Sequence, residues 1–285
     1  MSRIAFVNGQ YKNFNNSMVH IEDRGFQFGD GVYEVFAVIN NSIVDYDGHI
    51  NRLFLSLSKL NIKPPISKKS LLFHITNIKN ENLIEDGLIY LQITRGVSSR
   101  DFKFPLSTKS SIVIIGKIIS DNHYNSSFKK GIKVCTTKDL RWKRVDIKSL
   151  NLLPPVLAKQ SAYERGCEES WLVDEDGFIT EGCSSNAWIL IKDTLITRPV
   201  SNSILNGITR SSLIKGLKKN DLKIKERKFN FKDIKNASEA YITSATQHVM
   251  PVIKIDNLEI GNGKPGEYAS VFKDAYMESI LLLKS

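Results

Sequence analysis

The stretch Ser120-Asp-Asn-His-Tyr-Asn-Ser-Ser127 is the most polar uninterrupted run in this chain of 285 residues. A run of that composition between two apolar-patterned halves reads as a linker. It predicts an N-terminal α/β domain over residues 1–119, a linker over 120–128 and a C-terminal α/β domain over 129–285. Either half is long enough to bury a core of its own. Hydrophobic residues make up 41% and charged residues 25%, the balance of a soluble globular protein. No run of about 18 apolar residues is present, so no membrane span is expected. The N-terminus enters a strand-like run without the apolar core of a signal peptide, which makes the cytoplasm the expected location. Three scattered cysteines argue against a disulfide framework and against a metal site. The net charge of +10 raises the question of nucleic acid, but the basic residues are dispersed and never cluster into a stripe. We therefore expect no nucleic-acid partner; an anionic small molecule needs only a few of these charges.

In the first half, residues 3–8 read as a strand, Asn8-Gly9 as a tight turn and residues 18–21 as the returning strand. Gly25, Gly29 and Gly31 then break the pattern, as at backbone bends beside a ligand or another strand. Residues 32–39 follow as a strand whose period of two sends Tyr33, Val35 and Ala37 to one face. Asn40-Asn41 turns it into a strand over 42–46. Asp47 can cap a helix over 48–60 that buries Ile50, Leu53, Leu57 and Leu60, with Arg52 beside that stripe. A second helix is expected over 68–79 after Ser67. Strands over 87–95 and 110–118 are joined by the loop Gly96-Val-Ser-Ser-Arg-Asp-Phe-Lys-Phe-Pro105.

The second half opens with a strand over 132–137 and reaches Asp146-Ile-Lys-Ser-Leu-Asn-Leu-Leu-Pro-Pro155. Pro154-Pro155 suits the first turn of a helix over 156–165 closed by Gly166. Lys148 thus sits just upstream of a helix start. Ile147, Leu150, Leu152 and Leu153 around it predict a site with little water, where burial favours the neutral, nucleophilic amine. Residues 169–174 form a strand, Asp176-Gly177 a turn, and 178–191 a long strand interrupted at Glu181-Gly-Cys-Ser-Ser-Asn186. A glutamate in such an apolar setting needs a cationic partner. Residues 203–210 lead into a helix with Gly207, Ile208 and Thr209 at its first turn, where N–H groups and the helix dipole favour phosphate. Thr209 acting simply as a cap fits the same pattern. Residues 239–251 are a strand entering a turn, and 266–283 form an amphipathic helix.

Two of these segments carry a family resemblance. Asp146-Ile-Lys-Ser-Leu-Asn-Leu-Leu153, with Val156-Leu-Ala-Lys-Gln160, resembles the lysine segment of the fold-type IV pyridoxal-phosphate enzymes, most closely the D-amino-acid transaminases. Asp23-Arg-Gly-Phe-Gln-Phe-Gly-Asp-Gly-Val-Tyr-Glu34 is similar to the N-terminal signature of the same family. The resemblance implies a two-domain α/β (α+β) fold with pyridoxal 5'-phosphate in the interdomain cleft, and a homodimer that completes the site. It implies that Lys148 forms the internal aldimine and shuttles the proton between substrate Cα and C4′. Glu181 would pair with the pyridine nitrogen, keeping the ring an electron acceptor. Arg52, Ile208 and Thr209 would hold the phosphate, joined by Gly207 and by Ser244, Ala245 and Thr246. Ser184 and Ser185 would lie close by, Leu205 would pack on the ring, and Tyr33 would point to the substrate carboxylate.

The family's loop between the two apolar strands, lent by the neighbouring subunit, carries an Arg-x-His pair that clamps the substrate α-carboxylate. Here it reads Arg100-Asp101-Phe102: the arginine remains and the histidine is absent. An ion pair with Asp101 or a free surface charge is the plain alternative for Arg100. The implied reaction moves an amino group from a D-amino acid such as D-alanine to a 2-oxo acid such as 2-oxoglutarate. Branched-chain or (R)-amine transamination and aminodeoxychorismate lysis share the same machinery and stand as alternatives. A cofactor-binding regulator without turnover is the non-enzymatic one.

Overall fold

Asn8 and Gly9 turn the chain between β1 (Ile4–Val7) and β2 (Gln10–Asn13), whose register sets Val7 opposite Gln10. The return strand is therefore 10–13 and not 18–21, where Met18 and Ile21 are exposed. The computed structural model describes residues 3–119, 121–218 and 222–281. It divides into two units, Met1–Ser120 with Ile147–Asn151, and Asp121–Asp146 with Leu152–Ser285.

In the first unit, α1 (Arg24–Phe28) starts at Asp23, whose carboxylate accepts from Gly25 N at 2.8 Å, and ends at Gly29. Gly29 has φ 66°, a left-handed conformation that needs no Cβ. Strand β3 (Gly31–Ile39) runs to β4 (Ser42–Ile43), which is shorter than expected because α2 (Tyr46–Lys59) begins at once. The α2 N-cap is Asp45, in left-handed conformation, and Asp47 lies inside the first turn. Next, α3 (Lys68–Glu81) is capped by Ser67, whose hydroxyl accepts from Ser70 N at 3.1 Å. Strands β5 (Gly87–Thr94) and β6 (Ser111–Ile118) complete a sheet of order β2-β1-β6-β5-β3-β4, antiparallel throughout. Its core joins Phe36, Ile89 and Leu91 of the sheet to Leu53 and Leu57 of α2 and Leu71 and Ile75 of α3. Ile147 belongs to this core too, although Asp146 just before it lies in the second unit.

The second unit opens with α4 (Asp121–Lys130), a helix where the sequence read a linker. Tyr124 and Phe128, four residues apart, share a helix face and pack on the core, which a polarity argument overlooks. Then follow β7 (Ile132–Lys138), α5 (Leu153–Glu164) and β8 (Glu169–Val173); β7 and β8 are parallel, and α5 with the 147–151 excursion is their crossover. The long strand expected over 178–191 is two: β9 (Ile179–Gly182) pairs with β8, while β10 (Asn186–Ile191) pairs with β11 (Thr194–Thr197). After α6 (Ile208–Leu217) come β12 (Lys223–Glu226), α7 (Phe231–Ile234), β13 (Glu239–Ser244), β14 (His248–Ile255), β15 (Leu258–Glu259) and α8 (Tyr268–Leu281). Among the described residues the sheet runs β12-β11-β10-β13-β14-β7-β8-β9, with β15 on β14. Trp171, Ile189, Phe229 and Ile242 are fully buried in its core.

Candidate active site

Lys148 is held by its backbone in the first unit. Its carbonyl accepts from Tyr33 N at 3.1 Å and its N–H donates to Ser56 Oγ at 3.3 Å. Ser149 bridges to Val32, and Leu150 N donates to Gly31 O at 3.1 Å. Residues 147–151 thus run as a short extended piece against the start of β3. The amine itself lies 4.3 Å from the centroid of the Tyr33 ring, which in turn stacks on Tyr90 at 5.8 Å. Tyr90 donates to Gln92 Oε1, and burial pushes its phenol up to about 12. The dry surround expected of the lysine is only partly present. Ile147 is buried, but Lys148 is half-buried and Leu153 is 68% exposed, because Leu153 opens α5 rather than closing over the amine.

The alternation that turns Tyr33 to one side of β3 turns Glu34 to the other. Glu34 is fully buried and accepts from Arg52 Nε and Nη2, both at 2.7 Å, with His49 Nδ1 at 2.8 Å. Burial alone would push the Glu34 carboxyl up. The Arg52 charge, its paired hydrogen bonds and the His49 bond outweigh that and bring the pKa to about 2. Arg52 is therefore oriented by Glu34, a partner the sequence reading missed because it lies 18 positions away. Arg100, in the loop between β5 and β6, is exposed and lies over the Phe28 ring at 4.7 Å. Phe102 meets the same ring edge-on at 5.6 Å and is 85% exposed.

The second unit gathers the remaining candidates around Glu181 on β9. The cation that this glutamate needs is Arg141, whose Nη1 donates to Oε1 at 2.5 Å. Asn186 Nδ2 donates to Oε2 at 2.8 Å, and Leu205 N donates to the same carboxylate at 3.1 and 3.2 Å. Burial nevertheless pushes the Glu181 pKa up against the lowering effect of Arg141 and Leu205 N, and the nearby Asp139 charge adds to the rise. Arg141 Nε and Nη2 donate to Asp139 at 2.9 and 2.7 Å. The turn after Glu181 is organised by Glu169, which is wholly buried. Ser184 and Ser185 donate to its Oε2 at 2.7 and 3.2 Å, and Cys183 donates to Oε1. Neither Glu169 nor Asp139 was singled out in the sequence.

Helix α6 begins at Gly207, which has no side chain to cap it. A Cβ there would stand 1.9 Å from Asn186 Oδ1, so the close approach of the two segments requires glycine. The same Asn186 amide also donates to Leu205 O at 3.0 Å, tying the approach to α6 to the end of β9. Gly207 is the N-cap, which places Thr209 inside the first turn, buried, rather than at the cap position. Ile208 and Thr209 thus contribute first-turn N–H groups that have no acceptor within the helix. The register Asn186↔Thr243 between β10 and β13 sets Ser244, Ala245 and Thr246 at the same end of the sheet as Ser184 and Ser185. Ser244 Oγ lies 3.2 Å from Thr246 Oγ1 and accepts from Gln247 N, closing that turn.

The sequence pattern of the amino-transferase class IV family matches residues 31–255, a span that contains Tyr33, Lys148, Glu181, Thr209 and Thr246. The chain belongs to this family. Among curated relatives of this aminotransferase, the D-alanine aminotransferase of Bacillus licheniformis is 37% identical over 97% of each chain. That of Staphylococcus haemolyticus is 34% identical over the same shares. Its fold is fold type IV. The Escherichia coli branched-chain amino acid aminotransferase superposes with a TM-score of 0.91 at 19% identity, covering 98% of this chain and 95% of that one. A fold IV-transaminase from Curtobacterium pusillum superposes with a TM-score of 0.81 at 21% identity, covering 95% and 93%.

Proposed function

We propose that this class IV aminotransferase is a pyridoxal-phosphate-dependent D-amino-acid transaminase. It takes the amino group of a D-amino acid such as D-alanine and delivers it to a 2-oxo acid such as 2-oxoglutarate. The observation that carries the reading is the 37% identity to a D-alanine aminotransferase over 97% of both chains. The residues present fit the cofactor by their chemistry. A primary amine stands over a tyrosine ring in one unit. The other holds a buried pair of carboxylates sharing one guanidinium, which favours an added cation, and an α-helix N-terminus narrowed by glycine, which favours an added phosphate.

Pyridoxal phosphate supplies a carbonyl that condenses with amines and a ring that draws electrons from the substrate Cα. Lys148 would be the covalent anchor for that carbonyl, and its amine would serve as the base at the substrate Cα, returning the proton at C4′. Tyr33 orients its amine. Glu181 holds the ring nitrogen, itself fixed by Arg141, Asn186 and Leu205 N. The phosphate is bound by first-turn N–H groups of Gly207, Ile208 and Thr209, by the 244–246 turn and by Arg52, whose fork Glu34 orients. Ser184 and Ser185 line the cofactor, positioned by Glu169, and Leu205 packs on the ring. Arg100 binds the substrate carboxylate in a homodimer.

The test is the visible spectrum of the purified protein mixed separately with D-alanine, L-leucine, (R)-1-phenylethylamine and aminodeoxychorismate. Loss of the long-wavelength cofactor band with D-alanine alone is the expected result. Silence with D-alanine and a response to one of the others would move the protein to that activity.

A further inference from the structure

Arg141 is placed between two carboxylates, the buried Glu181 and the partly exposed Asp139, and it is not shared equally. Its Nε and Nη2 form a paired fork on Asp139 at 2.9 and 2.7 Å, while a single N–H, from Nη1, reaches Glu181 at 2.5 Å. The side chains of Arg141, Asp139 and Glu181 are 8%, 12% and 6% exposed. Asp139 is further fixed by Thr180, whose hydroxyl donates to Oδ2 at 2.8 Å, and Arg141 Nη2 also reaches Ser203 O at 3.3 Å. Arg198, which directly follows β11, donates to Ile179 O of β9 and is paired with Asp174 at 2.8 Å, so it adds no net charge. The Asp139, Arg141 and Glu181 group therefore carries one negative charge in excess, in a place with little water to screen it.

We infer that Asp139 is a positioning residue which, by occupying the fork of Arg141, leaves Glu181 with the net negative charge that holds a protonated ring nitrogen. The inference rests on the reading of Glu181 as the partner of the pyridoxal phosphate nitrogen. Without Asp139 the guanidinium would turn its full charge on Glu181. The group would become neutral, and a cationic ring nitrogen beside it would add an uncompensated positive charge. Asp139 touches neither the cofactor nor the substrate in this account; it acts through Arg141 alone.

The test isolates the ring nitrogen by comparing two cofactors, pyridoxal phosphate and its 1-deaza analogue, in which carbon replaces that nitrogen. For each variant, reconstituted as full-length protein, the ratio of the two dissociation constants is measured by fluorescence titration. D139N should lower the preference for the nitrogen-containing cofactor by about tenfold, the effect of roughly one unit in a coupled ionisation, and should leave binding of the deaza analogue unchanged. Glu at the same position, D139E, should retain the preference. The double variant D139N/R141Q restores one excess negative charge and should recover it, whereas a purely structural role predicts that the double variant is worse than either single one. Equal weakening of both cofactors in D139N, or no recovery in the double variant, would overturn the inference. Should D139N fail to fold, D139S removes the same charge and is measured in its place, with the same outcomes deciding. E181Q separates the two levels of the argument. If it leaves the ratio intact, Glu181 is not the nitrogen partner and the underlying reading fails; if it abolishes the ratio while D139N does not change it, only the role of Asp139 falls.

Discussion

Glu34 and Glu181 are both buried glutamates that accept from an arginine, yet their ionisation is driven in opposite directions. Glu34 in the first unit has Arg52 as a paired fork and His49 as a further donor, and its pKa falls to about 2. Glu181 in the second unit receives one N–H from an arginine whose fork is given to Asp139, and its pKa rises. Burial is nearly the same in the two places, so burial does not decide the outcome. The ratio of cations to carboxylates does: one acid with an arginine fork to itself is a closed ion pair, and two acids on one arginine form a group that can take another cation. In the first the carboxylate holds Arg52 in place, and in the second it keeps capacity for a further cation.

The largest test of that contrast is stability. Glu34→Gln leaves the Arg52 guanidinium without its anionic partner inside the unit and should cost about 3–5 kcal/mol, read from urea unfolding. A loss under about 1 kcal/mol would show that the pair is not closed. The acid limb of the stability profile follows with the same sign. Because the folded pKa of Glu34 lies below its ordinary value of 4.5, the stabilisation is complete above pH 4.5 and is lost as pH falls towards 2. The carboxylate alone accounts for about 3 kcal/mol of that decline. Glu34→Gln should flatten this limb, and a profile of unchanged slope would assign acid lability elsewhere.

Glu181→Gln should behave in the reverse manner. In the cofactor-free protein it relieves a like-charge neighbour of Asp139 while keeping acceptors for Arg141 and Leu205 N, so stability should change by less than about 1 kcal/mol. The D-alanine half-reaction should slow by about 100-fold, measured by stopped-flow absorbance. A large stability loss with an intact half-reaction would make Glu181 a framework residue like Glu34. Arg100→Ala should raise KM for D-alanine by about 10-fold to 100-fold, the worth of one charge-assisted contact of about 1.5–3 kcal/mol. It should leave turnover of an amine lacking a carboxylate unchanged; equal effects on both would remove Arg100 from substrate binding.

How much of this contrast was legible in the sequence depended on how far apart the partners lie. The strand and helix alternation was readable where local signals agree, as at Ser67 before α3 and at Pro154-Pro155 and Gly166 around α5. It failed where a tertiary partner supplies the stability. Strand β2 is polar and mostly exposed and forms because the Asn8-Gly9 turn returns it onto β1. Helix α4 looked like a linker because only Tyr124 and Phe128 of its described side chains reach the core. Lys148 and the Glu181-Gly-Cys-Ser-Ser-Asn186 turn stood out as motifs, and the need of Glu181 for a cation was predictable from its apolar strand. The identity of that cation was not, since Arg141 lies 40 positions away, nor was its division with Asp139. Charge sharing is a property of three side chains at once, and no local pattern encodes it.

A third buried glutamate, Glu169, gives the smallest and most discriminating effect. Its carboxylate collects Ser170 N, Ser184, Ser185 and Cys183, with Lys159 at 3.7 Å, so its charge is distributed over many donors rather than committed to one. Cys183 donates its S–H, and burial together with the Glu169 charge pushes that thiol up to about 12. It should therefore resist alkylation by iodoacetamide at pH 8, since the thiolate is the reacting form. Cys183→Ser keeps a donor in place and should alter stability by less than about 0.5 kcal/mol, while Cys183→Ala removes one and should cost about 1 kcal/mol. If serine and alanine were equivalent, the thiol would be a packing group and Glu169 would be satisfied without it. If alanine cost as much as Glu34→Gln, the closed and distributed carboxylates would not differ, and the ratio of partners would no longer explain how this fold uses its buried acids.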